Sequence, residues 1–509
     1  MLAQKLILGY SSRIISQVIT MLVGIVVARL VGPTILGTVA FGMSFVSIFQ
    51  FVADLGVGSA HIKLVSEGRN LATCISTFAR IKYSLILAFA SVVLGVVLVE
   101  FFFFPSSFES REHFYVVLIW LCAVTVTQIA MIPLGTFAGL TEQAKQDVPV
   151  FLQTIVVQAL RVAAVIVGLG AVGLSGAQLA GAVLLAIMYF WMYRSYPRGS
   201  FDLNLAKEYA KIALPIVVVS FCSTQMDFLD KVMLQWFSNS EQVGYYTAGY
   251  SLGGFLKTIG VTAGILFFPL FSSAVARNDI DFINRTISKF ERFTLIFIMP
   301  AVILAMIYSG YIVRVLLGTR FVSSTAVLAV MVMGMFFFVL NMPYGNLILG
   351  MNRLRLGALL QIVNLGLFIL LNAVILRNIS PASKALGTAI AVTASTVALG
   401  YSFRLTISFL TKEIQVWRHE KFLVAGAVIG SAAAIGGNAI GIYSSVVSAI
   451  VFPISFLVLF YGVLLAMKWI SVQDLQQIFR VVDIKNVYQY VRTEISDVSE
   501  KTKSRLPMK

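Results

Sequence analysis

Charge is scarce in this chain. Asp, Glu, Lys and Arg together make up 12% of its 509 residues, where a soluble domain carries roughly 25%. So little charge cannot coat a surface in water, which excludes an ordinary soluble globular protein. Cysteine is scarcer still. Cys74, Cys122 and Cys222 all lie in or beside apolar runs, so they read as small buried hydrophobes and not as a disulfide framework or metal site. The three histidines, His61, His113 and His419, are too scattered to bind a metal together. No phosphate-binding P-loop occurs, which excludes a built-in ATPase. Gly168 to Gly173 fits G-x-G-x-x-G, but no strand precedes it, so the match carries no dinucleotide site. Nothing points to a cofactor or a bound metal.

What the chain does have is apolar length. Hydrophobic residues form 59% of it and its mean hydropathy is +0.92. They come in fourteen runs of about 20 residues, the length of helix that crosses a hydrocarbon core. In lipid every backbone N–H and C=O must be satisfied internally, and long runs without strict alternation do this as helices. The expected fold is therefore an all-α integral membrane protein with about 14 transmembrane helices, from 8–30 to 446–468. The second span is expected at 36–62, the third at 83–103, the eighth at 244–271 and the ninth at 293–313.

The basic residues orient this bundle. With the N-terminus inside, inner segments hold 29 of the 38 Lys and Arg. Outer loops hold six: Arg29, Arg111, Arg314, Arg320, Arg377 and Lys384. That asymmetry follows the positive-inside rule and places both termini in the cytoplasm. The net charge of +16 is spread over many short loops, so nucleic acid is not an expected partner. The tail past residue 470 alternates Val472, Leu475, Ile478 and Val482 with polar residues. It reads either as an amphipathic helix on the inner membrane surface or as a solvated tail.

A weak internal repeat runs at a spacing of 207–211 residues. Gly37 to Gly42 aligns with Gly244 to Gly249, Pro133-Leu-Gly135 with Pro343-Tyr-Gly345, and Gly139 with Gly350. Each copy holds six spans, so both begin inside. The expectation is two parallel six-helix repeats around a central cavity, a transporter architecture, plus two extra C-terminal helices. The expected divisions are 1–200 and 201–412 for the two lobes, 413–470 for the added spans and 471–509 for the tail.

Six charges fall well inside spans: Asp54, Arg161, Asp227, Asp230, Lys231 and Lys257. At roughly 2.5–3.5 kcal/mol each at a helix centre, they cannot all face lipid. Asp227 and Lys231, four apart, can pair on one helix face. They form either a local ion pair or, with Asp230, part of a cavity wall. Asp54 either carries a proton or sodium ion or balances a nearby Arg. Arg161 and Lys257 stand one in each half. They either bind an anionic head group, as Arg and Lys bind phosphate, or pair with the aspartates. Arg29 ends the first span, where snorkelling also accounts for it.

Several of these residues fall in motifs of a known family. Ala28-Arg-Leu-Val-Gly-Pro33 with Gly37 resembles the end of the first helix of polysaccharide flippases. Ala53-Asp-Leu-Gly56 with Lys63 resembles their second-helix motif, and Asp230-Lys231 with Val243 to Ala248 the start of their second half. The chain is thus similar, over roughly residues 5–470, to the oligosaccharide flippase branch of the multidrug/oligosaccharidyl-lipid/polysaccharide superfamily. This branch includes O-antigen and lipid II flippases. The resemblance implies a non-enzymatic transporter in the cell membrane. It would move a polyprenyl-(pyro)phosphate-linked oligosaccharide from the inner to the outer leaflet by alternating access, and act as a monomer. It implies cavity roles for Arg29, Asp54, Arg161 and Lys257. Proton or sodium are the candidate coupling ions, and glycan polymerase or ligase machinery the candidate partner beyond membrane lipids. A cation-coupled multidrug exporter is the nearest alternative and a membrane glycosyltransferase or glycan polymerase a more distant one.

Overall fold

The computed structural model describes residues 2–103, 109–416, 421, 423–424, 426, 428–430 and 446–466. Every regular element among them is helical. In the N-terminal half these are α1 (Leu2–Val31), α2 (Pro33–Ser47), α3 (Val57–Ser66), α4 (Leu71–Phe103), α5 (Arg111–Gly139), α6 (Gln143–Val167) and α7 (Gly170–Tyr193). The C-terminal half continues with α8 (Leu203–Phe237), α9 (Ser240–Gly253), α10 (Phe255–Ala276), α11 (Ile280–Phe293), α12 (Met299–Ile307) and α13 (Ser309–Leu316). It ends with α14 (Ser324–Gly350), α15 (Leu354–Asn378), α16 (Lys384–Leu410) and α17 (Val446–Ala466). The thirteenth expected span, 422–443, lies largely outside the described residues, and the expected amphipathic tail, 471–509, wholly so.

Among the described residues nine helices are long and apolar enough to cross a membrane. Their outer surfaces carry large exposed apolar side chains such as Leu87, Ile166, Leu266 and Phe409. In water these would be a severe liability, and against lipid they are the expected coat.

Two expected spans are not continuous helices. α2 and α3 are bent by 47° across residues 48–56. There Leu55 and Gly56 both adopt left-handed backbone, with φ of 43° and 73°. For Leu this is a strained conformation of the kind that persists at functional sites. The eighth span is interrupted at a single residue, Gly254, between α9 and α10, where the backbone stays right-handed with φ of −64° and ψ of −15°. Broken helices inside a membrane occur where they line a cavity or pack against protein, and both breaks here border cavities.

The ninth span carries a π-turn at Thr294–Ile298. Pro300 has no N–H for the carbonyl of Ile296. The Tyr461 hydroxyl of α17 donates to that carbonyl at 3.2 Å, which ties α17 to the bundle.

α2 and α9 cross where the halves meet. A Cβ on Gly37 would lie 1.7 Å from the Ser240 carbonyl oxygen, and one on Gly244 1.9 Å from that of Pro33. This contact lies on the face carrying few basic residues.

Candidate functional site

The break between α2 and α3 leaves Asp54 on irregular backbone beside the start of α3. A helix N-terminus favours a carboxylate. Lys82 of α4 donates to Asp54 Oδ1 and, at 3.0 Å, to Gln128 Oε1 of α5. The two charges are unequally placed: the Lys82 side chain is 1% exposed and that of Asp54 41%. Asp54 thus faces a cavity of about 1030 Å³, with Lys82 and Gln128 behind it. The cavity runs down to Gln146 and Asp147 of α6, towards the face rich in basic residues.

The second break sets Lys257 in the first turn of α10. Its ammonium donates to the Asp227 carboxylate of α8 and, at 3.5 Å, to the Tyr250 hydroxyl. All three residues line a second cavity of about 370 Å³ with Asn341, Asn346 and Phe403. α8 stands between the cavities, with Thr224 and Phe228 lining the larger and Met226 and Asp227 the smaller. Each broken span therefore places one charge on a cavity, with opposite sign in the two halves.

A family model described as "Polysaccharide biosynthesis protein" matches residues 26–326, more than half of the chain and all of both broken spans. The chain belongs to the polysaccharide biosynthesis protein family. Solved structures share its fold at low sequence identity. The lipid II flippase MurJ in an inward closed conformation is 15% identical, with a TM-score of 0.66 over 90% of this chain and 100% of that one. An inward-facing multidrug resistance MATE family transporter of the MOP superfamily is 14% identical, with a TM-score of 0.62 over 78% and 96%. A MOP superfamily transporter from Pyrococcus furiosus, described as having a binding pocket of reverse polarity, is 13% identical, with a TM-score of 0.53 over 80% and 94%. No curated protein matches.

Within this family fold the charges expected at a site divide sharply. Asp54, Asp227 and Lys257 reach cavities. Asp230 and Lys231 do not. Lys231 Nζ donates to Asp230 Oδ1 at 3.0 Å and to the Asp227 backbone carbonyl at 2.9 Å, and the Tyr246 hydroxyl donates to Asp230 Oδ2 at 2.5 Å. This buried pair ties α8 to α9. The expected side-chain pair of Asp227 with Lys231 is thus corrected: Asp230, one residue away, takes the ammonium, and Asp227 turns to Lys257. The Arg expected beside Asp54 is Lys82.

Arg161, expected near a central cavity, donates to Gln178 Oε1 of α7 at 3.3 Å. Arg29 donates to the Val315 carbonyl at 3.1 Å, where a cation meets the negative end of α13. Neither borders the two cavities.

Sequence reading missed Lys82 and Gln128. It also missed a buried network in the C-terminal half. Arg404 of α16 donates to Glu291 Oε1 of α11 at 2.7 Å, to Asn341 Oδ1 at 2.7 Å and to the Val416 carbonyl at 3.0 Å. The Tyr344 hydroxyl donates to the same Glu291 oxygen at 2.6 Å. The contacts run from α11 through α14 to α16 and leave no charge facing a cavity, so this network is structural.

Proposed function

We propose that the chain is a flippase that carries a polyprenyl-(pyro)phosphate-linked oligosaccharide from the inner to the outer leaflet of the cell membrane by alternating access. The observation that carries this reading is Lys257. It is a cation at a helix break, on a cavity, in a chain of the polysaccharide biosynthesis family. An ammonium in a site of low dielectric is a strong point-charge partner for phosphate, and Asp227 holds it until that phosphate arrives.

In this reading 1–200 and 201–412 are the two lobes and rock about the α2–α9 contact. The open side is the cytoplasmic one, where basic residues and both termini lie. Proton or sodium coupling would enter through the Asp227–Lys257 pair, since protonating Asp227 releases its lysine. Glycan polymerase or ligase machinery on the far side would take the product.

Deleting the gene should trap undecorated lipid-linked glycan on the cytoplasmic leaflet. A deletion strain with normal surface glycan would overturn the reading. A second reading, a multidrug exporter, is favoured by the exposed carboxylate of Asp54 in the larger cavity, which suits an organic cation. Drug-sensitivity profiles with and without the protein separate the two.

A further inference from the structure

We propose that the larger cavity, beside Asp54, is the chamber for the substrate's glycan, and that its charge selects neutral or amino sugars and rejects acidic ones. This rests on the flippase reading and deepens it. Size comes first. At about 1030 Å³ the cavity exceeds the range of roughly 300–1,000 Å³ that holds drug-sized ligands, so it admits several sugar units. The cavity beside Lys257, about 370 Å³, lies at the lower end of that range and has room for a pyrophosphate and one attached sugar but not for a longer glycan. α8 separates the two by little. Thr224 and Asp227 are three residues apart on it, about 4.5 Å along the helix axis. The two cavities therefore lie at one height of the bundle, on different sides of α8.

The chemistry of the walls comes next. Gln17, Gln50 and Gln146 line the larger cavity, and an amide side chain carries both donors and an acceptor. Paired donors and acceptors match the neighbouring hydroxyls of a sugar ring. Phe51 and Phe151 on the same wall offer flat faces for the apolar side of that ring.

Charge decides which sugars fit. Among the described lining residues the charged ones are Asp54, Asp147 and Lys82, two carboxylates against one ammonium. Lys82 is turned away and held by Asp54 and Gln128. A ligand in the chamber therefore meets a carboxylate with its counter-cation hidden behind it. A uronic acid placed there meets two carboxylates against one ammonium, a net like charge that repels it. A neutral sugar meets only hydrogen-bonding groups, and a free amino sugar gains an ion pair with Asp54. The anionic part of the substrate belongs at Lys257.

The test uses the full-length protein in proteoliposomes and follows flipping of four short polyprenyl pyrophosphates. One carries a neutral disaccharide, one a disaccharide with a free amine, one a disaccharide with a uronic acid, and one no sugar. The wild type should flip the neutral and amino lipids at least tenfold faster than the uronate lipid. The paired variant Asp54→Asn with Lys82→Met removes both charges without stranding a buried ammonium. It should bring the uronate rate within about threefold of the neutral one. Equal wild-type rates for neutral and uronate lipids would overturn the inference and leave the flippase reading standing. So would a paired variant that flips the neutral lipid and still rejects the uronate. If no sugar-bearing lipid moves faster than in protein-free vesicles, the flippase reading fails and the inference with it.

Discussion

Gly37 of α2 and Gly244 of α9 meet across the junction of the two halves so closely that neither position has room for a methyl group. They are also the residues that align first in the internal repeat. Small residues let helix backbones approach in a membrane, and here they seal the face opposite the opening of the larger cavity. Gly37→Ala must push α2 from Ser240. Overpacking of this kind costs about 1–3 kcal/mol, a shift of roughly five- to 150-fold between closed and open populations. Spin labels at Leu169→Cys and Asn378→Cys, in a background without native cysteines, should report a longer distance in Gly37→Ala. An unchanged distance distribution would show that this crossing does not hold the face closed.

The Asp54–Lys82 pair predicts an asymmetry. Removing one member of a buried pair strands the other, at about 3–5 kcal/mol when that charge is fully desolvated. Asp54→Asn strands Lys82, which is 1% exposed. Lys82→Met strands Asp54, which still reaches the cavity and its water, so the penalty is smaller. Thermal melting in detergent should rank wild type above Lys82→Met above Asp54→Asn, with the double variant melting above Asp54→Asn. Additive effects of the two substitutions would mean the charges are not coupled.

The fold was legible in the sequence because a long apolar run has few solutions in a bilayer. The charges at the site were less so, for one physical reason. Lys82, Glu291 and Arg404 all sit at the margins of expected spans, on the face rich in basic residues. α4 begins at Leu71 and not near residue 83, and its 33 residues extend about 50 Å, well past a hydrocarbon core of about 30 Å. The extra turns carry Lys82 into protein, where hydropathy alone assigns it to a loop. The breaks were hidden likewise: Gly253-Gly254 lies within an apolar run, and Asp54-Leu55-Gly56 is short enough to pass as helix. The aligned glycines were informative beyond their number. Gly42 receives Val116 of α5 and Gly249 receives Val327 of α14, equivalent helices in a two-lobe reading.

The Arg404 network predicts a stability effect distinct from transport. Arg404→Ala takes the guanidinium away from the buried Glu291 carboxylate and from Asn341 and the Val416 carbonyl. A loss of about 3–5 kcal/mol is expected, enough to abolish accumulation of folded protein. Arg404→Lys should rescue only in part, because one ammonium cannot reproduce a guanidinium fork that binds Glu291, Asn341 and Val416 together. Glu291→Gln with Arg404→Met, which strands neither charge, should accumulate better than Arg404→Ala. Equal yields for the alanine variant and the wild type would refute a stabilising role.

Acid should loosen the closed face through Glu109, which lies in the loop before α5. Its Oε2 accepts from the Ser240 amide at 2.9 Å, the Ser240 hydroxyl at 2.7 Å and Gln235 at 3.0 Å. His113 Nε2 lies 3.8 Å away and 2.5 Å from the same Ser240 hydroxyl. The loop and α5 are thereby latched to the start of α9, beside the Gly37–Gly244 crossing. Burial pushes the Glu109 carboxyl up, but the Ser240 and Gln235 donors, with His113, outweigh it and hold it below the usual carboxylate range. A pKa lowered by the latch means the latch is stabilised by ionised Glu109. That stabilisation is complete above the ordinary value of 4.5 and fades as pH falls through the lowered one. The side chain is 42% exposed, so the contribution is modest. Between pH 7 and pH 3, with the change confined to the acid side of 4.5, the Leu169→Cys to Asn378→Cys distance should lengthen in the otherwise wild-type protein. In Glu109→Gln, whose amide oxygen still accepts but does not titrate, that response should be reduced. An identical acid response in both proteins would assign the opening to another group.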